Sequence, residues 1–286
     1  MYPTLRETLE QTADKYPERD ALIYPRRDQR WSYEEFDTKA NQLANALADR
    51  GIEKGDRVST MLHNGTEIIL TVFACAKLGA VFNPLNYRLP AGEIEFILND
   101  AESSALIFEE GTREAVANAR GDLETVDEYL FIDEDGPDWT ADFYDTLSAG
   151  ASHRPDTVVE EDDVYAFIYT SGTTGRPKGV VHEHRDMVEH NLICIGEGGI
   201  KRDDVGLSAF PLYHCAELHA ALFPRIHVGA TSIIHHDFDP VRALQAIDEH
   251  DVTLFFAAPT GWNGLLQAAD EVDADVSSLR LGLYGA

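Results

Sequence analysis

The sequence predicts an α/β fold: two lobes, each a largely parallel sheet covered by helices. Strand-like and helix-like segments alternate almost throughout. Helix start and stop signals fall between the apolar runs. No internal repeat or low-complexity tract breaks the pattern. A chain of 286 residues, 44% of them hydrophobic, is long enough for about two domains and too apolar to stay disordered.

The elements follow in order. Ser32 and Glu35 form a capping box; Phe36, Ala40, Leu43 and Leu47 then recur at helical spacing, and Gly51 ends the helix. Residues 57–62 read as a strand and 66–78 as a largely buried helix. Pro90 opens a helix through Leu98, and 105–108 and 129–132 are short strands. Residues 148–163 are rich in Pro, Gly, Ser and acid and lack periodicity, so they read as the connection between the lobes. The second lobe resumes with a strand over 164–169, a polar loop, a strand over 179–182 and a helix near 185–195. Strands follow at 206–210 and 230–234. Asp239-Pro240 is an N-cap and first-turn pair for a helix ending near His250. Residues 252–257 form an apolar, aromatic strand, and 281–284 start another.

The loop in the second lobe carries the chemistry. Tyr169-Thr170-Ser171-Gly172-Thr173-Thr174-Gly175-Arg176-Pro177-Lys178-Gly179 packs hydroxyls, glycines and a lysine between two apolar strands. Glycines let backbone N–H groups turn inward on an anion. Hydroxyls add donors and can ligate magnesium. Lys178 supplies a compact positive charge. Such a loop suits a polyphosphate. It is not a Walker-type loop, because Lys178 follows Pro177 and precedes Gly179.

This string resembles the signature of the adenylate-forming enzymes: acyl-CoA synthetases, aryl-CoA ligases, luciferases and peptide-synthetase adenylation domains. Other segments match in the same order. They are Trp31 to Phe36, Leu78 to Asn86, Pro211-Leu212-Tyr213-His214, Ala258-Pro259-Thr260, and Ser278-Leu279-Arg280 with Tyr284-Gly285-Ala286. The resemblance implies ATP, Mg2+ and CoA as cofactors or co-substrates and a small carboxylic acid as substrate. It assigns Thr170, Ser171, Gly172, Thr173, Thr174, Gly175 and Lys178 to the β- and γ-phosphates, with Thr174 on magnesium. Tyr284, Gly285 and Ala286 fall to the adenine loop. Tyr213, His214, Thr260, Gly261 and Trp262 line the acid pocket, and His214 and Lys178 are the catalytic candidates. Trp262 reads more readily as core, and His214 reads also as a cap for the helix after it. Cys215-Ala216-Glu217 departs from the small residues usual beyond that histidine. His184-Arg185 falls where the family commonly has a histidine–arginine pair.

The resemblance also implies that this is the N-terminal AMP-binding portion of a longer enzyme. The chain stops at Ala286 inside the adenine loop. The remainder of that domain and a small lysine-bearing domain would lie outside it, leaving little turnover in the short chain alone. The reading is an acid–CoA ligase for fatty or aryl acids. Its rivals are an adenylation domain loading a carrier protein and a non-catalytic nucleotide- or acyl-binding fragment.

Charge narrows the partners. With 51 acidic against 23 basic residues the net charge is -28, which repels nucleic acid and anionic membranes. The acid excess reads as the solvated surface of a protein from a high-salt cytoplasm. Cys75, Cys194 and Cys215 give no disulfide framework or paired-cysteine metal site, and fit a reducing cytosol. His182 and His184, His214 and His219, and His235 and His236 match no zinc spacing. No apolar run is long enough to span a membrane, and no signal peptide opens the sequence. Oligomeric state is not legible.

Overall fold

The computed structural model describes residues 3–170 and 175–285. The first elements are α1 (Leu5–Lys15), β1 (Asp20–Tyr24), β2 (Gln29–Ser32), α2 (Tyr33–Asp49), β3 (Arg57–Met61), α3 (Thr66–Leu78) and β4 (Val81–Pro84). Next come α4 (Ala91–Asp100), β5 (Ser103–Phe108), α5 (Arg113–Ala119), β6 (Glu128–Phe131), β7 (Ala141–Asp142), α6 (Phe143–Ala149), β8 (Val164–Thr170), β9 (Lys178–Glu183) and α7 (His184–Gly198). The last are β10 (Val205–Ser208), α8 (Cys215–Glu217), α9 (Phe223–Val228), β11 (Thr231–Ile234), α10 (Pro240–Glu249), β12 (Leu254–Ala257), α11 (Pro259–Ala268) and β13 (Leu281–Tyr284). A π-helical turn, Leu218–Leu222, lies between α8 and α9.

The chain divides into two compact units. One comprises Met1–Glu7, Asp37–Leu62 and Glu67–Met187; the other comprises Thr8–Phe36, His63–Thr66 and Val188–Ala286. The first unit holds a seven-stranded sheet, β7-β6-β5-β3-β4-β8-β9, parallel except for the edge hairpin β8–β9. Its core packs Ile94, Ile97 and Leu98 of α4 and Val116 of α5 with Leu106 and Phe108 of β5 and Phe131 of β6. The second unit holds a six-stranded sheet, β13-β12-β10-β11-β1-β2, parallel except for the edge hairpin β1–β2. There Leu207, Ile233 and Phe255 pack with Ala243, Leu244 and Ile247 of α10 and Leu265 of α11. The predicted α/β class with largely parallel sheets is the observed one.

Local signals set many element ends. The Ser32 N–H donates to Glu35 at 2.8 Å and the Glu35 N–H to Ser32 Oγ at 3.2 Å, the reciprocal capping box at the start of α2. Asp239 caps α10 by accepting from the Arg242 N–H at 2.8 Å, with Pro240 in the first turn.

The expected connection between lobes is corrected. Residues 148–163 lie wholly inside the first unit, and the chain passes between the units at five other places. The stretch lacks periodicity because side chains bind its carbonyls. Asn41 donates to Ser152, Asn45 to Ala151 and His153, Arg6 to Pro155 and Thr157, and Lys54 to Val158. Gly150 lets this strap approach α2, since a Cβ there would lie 1.9 Å from the Gln42 carbonyl oxygen.

Candidate active site

In parallel sheets, ligands collect beyond the carboxyl ends of the strands. Each predicted site segment leaves such an end. Thr170 closes β8 in the first unit. In the second unit 209–214, 258–262 and 285–286 follow β10, β12 and β13, which are neighbours in the sheet.

The polar loop joins the two strands of the β8–β9 hairpin. Antiparallel pairing runs from Val164↔Glu183 to Thr170↔Lys178, so Lys178 stands opposite Thr170 at the loop's mouth. Ser171, Gly172, Thr173 and Thr174 lie outside the described residues, and the assignment of Thr174 to magnesium lies there too. Gly175 has φ +103, a conformation that favours glycine. Lys178 is exposed, and among the described residues no carboxylate pairs with it. The Arg176 guanidinium lies 5.3 Å from the Phe96 ring centroid. The Tyr169 hydroxyl donates to Asp100 at 2.6 Å. Burial and that carboxylate push the phenol above its ordinary range. A Cβ on Gly179 would come within 3.1 Å of the Tyr169 ring, so the glycine lets the ring lie against β9.

In the second unit, His214 is the N-cap residue of α8. Its Nδ1 accepts from the Ala216 N–H at 3.2 Å, with Cys215 Sγ 3.8 Å away. An Nδ1 that accepts leaves the proton of the neutral ring on Nε2. The cap therefore fixes the tautomer and turns the other ring nitrogen into a donor. Cys215 raises the imidazole above its usual value while burial opposes the shift, and His214 in turn lowers the thiol.

Thr260, Gly261 and Trp262, expected to line the acid pocket, lie in the first turn of α11, which Pro259 opens. A Cβ on Gly261 would stand 2.4 Å from the Phe210 ring, so the glycine seats that ring. Trp262 donates its indole N–H to the Leu283 carbonyl at 3.1 Å and packs edge-on to Phe255 at 5.4 Å. It braces β13 against α11. Tyr213 is half-buried, Thr260 is exposed, Tyr284 is 78% exposed and Gly285 is half-buried. Ala286 lies outside the described residues.

His184 is the first residue of α7. It is buried, its Nδ1 accepts from the Leu5 N–H at 3.2 Å, and burial pushes its imidazole down to about 4. Arg185 pairs with Asp162 at 2.6 Å and Glu183 at 3.2 Å.

Three residues around His214 escaped the sequence reading: Asn64, Glu217 and Arg225. Glu217 and Arg225 flank an apolar run, and that pattern of opposite charges around buried residues was the available signal. Burial pushes the Glu217 carboxyl up to about 7 despite the Arg225 guanidinium beside it. Asn64 carried no local signal, because its partners are remote in sequence.

The fold is an α/β domain with its predicted site segments at the carboxyl ends of parallel strands. The chain belongs to the AMP-binding enzyme family, whose model matches residues 9–286. It is 35% identical over 255 residues to a feruloyl-CoA synthase of an Amycolatopsis species, covering 89% of this chain and 49% of that protein. It is 31% identical over 280 residues to the long-chain-fatty-acid–CoA ligase FadD13 of Mycobacterium tuberculosis, covering 97% of this chain and 54% of that protein. The anthranilate CoA ligase AuaEII, solved with anthranoyl-AMP, superposes with a TM-score of 0.93 at 26% identity, over 99% of this chain and 55% of that one. The chain thus spans about half the length of the curated relatives it matches. Among the described residues no helix is long and apolar enough to cross a membrane.

Proposed function

We propose that the chain binds ATP and a carboxylic acid in an enzyme that joins the two into an acyl-adenylate, then transfers the acyl group to CoA. A carboxylate oxygen attacks the α-phosphorus of ATP and the bond to pyrophosphate breaks. The CoA sulfur then attacks the acyl carbon and AMP leaves. The observation that carries this reading is the β8–β9 hairpin, with exposed Lys178 opposite Thr170 at its mouth. The CoA-ligase names of the relatives, and the acyl-adenylate bound in one of them, support it.

In this reading Thr170, Gly175 and Lys178, with Ser171, Gly172, Thr173 and Thr174, hold the β- and γ-phosphates. The work is positioning and charge neutralisation. Magnesium, when bound, supplies further neutralisation on the triphosphate, and Thr174 is its assigned hydroxyl. His214 donates its Nε2 proton to an oxygen of the carboxylate or α-phosphate. Tyr213, Thr260 and Gly261 border the acid, and Tyr284, Gly285 and Ala286 the adenine. The acid is fatty or aryl, in keeping with relatives that act on ferulate and on long-chain fatty acids. Free thiols at Cys75, Cys194 and Cys215 suit a reducing cytoplasm.

The test is ATP–pyrophosphate exchange across a panel of aryl and fatty acids, followed by CoA-dependent AMP release. Exchange that requires one of these acids supports the reading. Exchange that answers only to amino acids, or is absent in a protein that includes the rest of the polypeptide, overturns it.

A further inference from the structure

Asn64 belongs to His63–Thr66, a four-residue segment of the second unit that lies between β3 and α3 in sequence. Its side chain is 4% exposed, and every amide hydrogen is used. Nδ2 donates to the Phe210 carbonyl at 2.8 Å and to the His235 carbonyl at 3.1 Å. Oδ1 accepts from the Leu212 N–H at 2.8 Å. The backbone N–H of Asn64 donates to the His236 carbonyl at 3.3 Å.

These bonds fall where β10 and β11 separate. The His235 N–H donates to the Ser208 carbonyl at 2.8 Å, after which the two chains part. The predicted strand over 206–210 stops at Ser208 for this reason: the Phe210 carbonyl belongs to Asn64, not to a neighbouring strand. An amide has the right shape for this gap. It offers two donors to two carbonyls and one acceptor to an N–H, a set that neither a carboxylate nor a hydroxyl can supply.

From Asn64 the constraint passes to His214 through the backbone. Phe210 and Leu212, both bound by Asn64, flank Pro211. The Pro211 carbonyl accepts from the His214 N–H at 3.1 Å. The His214 carbonyl accepts from the Leu218 N–H at 3.1 Å, and its ring accepts from Ala216. The helix after His214 holds its carbonyl and ring, and the bond that holds its backbone N–H comes from a turn whose first half is pinned by Asn64. We infer that Asn64 is a positioning residue, holding the 210–214 turn so that His214 presents its Nε2 proton. This rests on the reading of His214 as the donor to substrate.

The experiment uses the full chain with isotopically labelled histidine. In the wild type, ring nitrogen shifts should place the His214 proton on Nε2, and hydrogen exchange should find the Leu212 amide strongly protected. Asn64→Ala removes the whole clamp. Asn64→Asp keeps the acceptor but sets a second oxygen against two carbonyls. In both, the His214 ring should move to the shifts of a free, averaged imidazole while His184, in the other unit, stays put and reports that the chain is folded. In an exchange-competent protein, either change should lower acid-dependent exchange about tenfold to a hundredfold with KM for ATP unchanged. His214 shifts that are unaltered in a folded variant overturn the inference. So does a rapidly exchanging Leu212 amide in the wild type, which needs no variant to fold. If a wild-type protein that includes the rest of the polypeptide catalyses no exchange, the functional reading falls, and the ring and amide data still decide the role of Asn64.

Discussion

Arg225 and Glu217 face each other across the π turn, guanidinium to carboxylate at 3.4 Å, with side chains only 2% and 1% exposed. Arg225 also donates to Ser208 Oγ and, through Nε, to the Ala221 carbonyl at 2.9 Å, inside the turn itself. A Cβ on Gly206 would stand 2.0 Å from the guanidinium, so the strand has been kept bare to admit it. Removing one member of such a pair strands the other charge, at a cost of about 3–5 kcal/mol, whereas replacing both with apolar groups is often neutral. Arg225→Met should therefore lower stability by about that amount. The double change Arg225→Met with Glu217→Leu should recover most of the loss. Urea unfolding of the three proteins checks this, and a double variant no better than the single would show that the pair is not coupled.

His214 has two separable jobs, and asparagine divides them. Asparagine is among the best N-cap residues. His214→Asn should hold α8 in place with a change in melting temperature of a degree or two at most, since the cap itself is worth only about 1 kcal/mol. It cannot present a donor at the position of the imidazole Nε2. Acid-dependent exchange should fall on the order of a hundredfold, the typical loss of one donor to a developing oxyanion. Full activity in the asparagine variant would reduce His214 to its cap.

Lys178 gives a third test, because its exposure and its lack of an ion pair among the described residues free it from the fold. Lys178→Ala should leave the unfolding midpoint within about 0.5 kcal/mol of wild type, as for other surface changes. Pyrophosphate exchange should fall by about 10² to 10³. An unchanged rate would remove Lys178 from the phosphate site.

Where the sequence was readable, the signal was local. The Ser32–Glu35 box and the Asp239 cap are written within four residues and reappear as hydrogen bonds. The strands on either side of the polar loop were readable for the same reason. What escaped was set at a distance. No helix was read over 259–268, yet the segment is helical, and Gly261 in its first turn seats the remote Phe210 ring. The strap over 148–163 had no pattern to read, because its carbonyls bind Asn41, Asn45, Lys54 and Arg6. Asn64 acts through partners that no short window contains, whereas Glu217 and Arg225 pair eight residues apart around buried residues, a pattern the reading passed over.

His184 sets a pH limit on the first unit. Its folded value, about 4, lies below the ordinary 6.5 because burial disfavours the imidazolium. In the window between them the unfolded chain takes up a proton that the folded chain refuses, so stability is complete above 6.5 and is lost as pH falls toward 4. His235, also pushed down to about 4 by burial, acts in the same direction. Glu217 opposes them: its raised value makes the folded state hold a proton up to about 7, so its contribution weakens as pH rises from the ordinary 4.5. His184→Gln should flatten the fall in melting temperature between pH 6.5 and 4. Glu217→Gln should steepen it, by removing the opposing group. Melting curves across that range decide, and unchanged slopes in both variants would place the acid sensitivity elsewhere.

Salt should act on this protein in the direction opposite to that for a surface held by ion pairs. Exposed pairs such as Arg242–Asp237 at 2.7 Å and Arg202–Asp203 at 3.0 Å contribute little, and salt screens them. Against them stands a net charge of -28, with carboxylates crowded at Glu160, Glu161, Asp162 and Asp163 and at Asp270, Glu271, Asp273 and Asp275. Raising salt from about 0.1 M to about 1 M shortens the screening length from roughly 10 Å to roughly 3 Å, which is short enough to silence neighbour-to-neighbour repulsion. Repulsion is the larger sum, so stability should rise with potassium chloride up to molar concentrations, and the chain should unfold in dilute buffer. The same screening should help a polyanionic nucleotide approach Lys178. Melting temperatures in chloride and in sulfate separate the charge effect from general salting-out, since only the former is already present in chloride. A melting temperature that is flat or falling in chloride would mean that the ion pairs outweigh the excess acid.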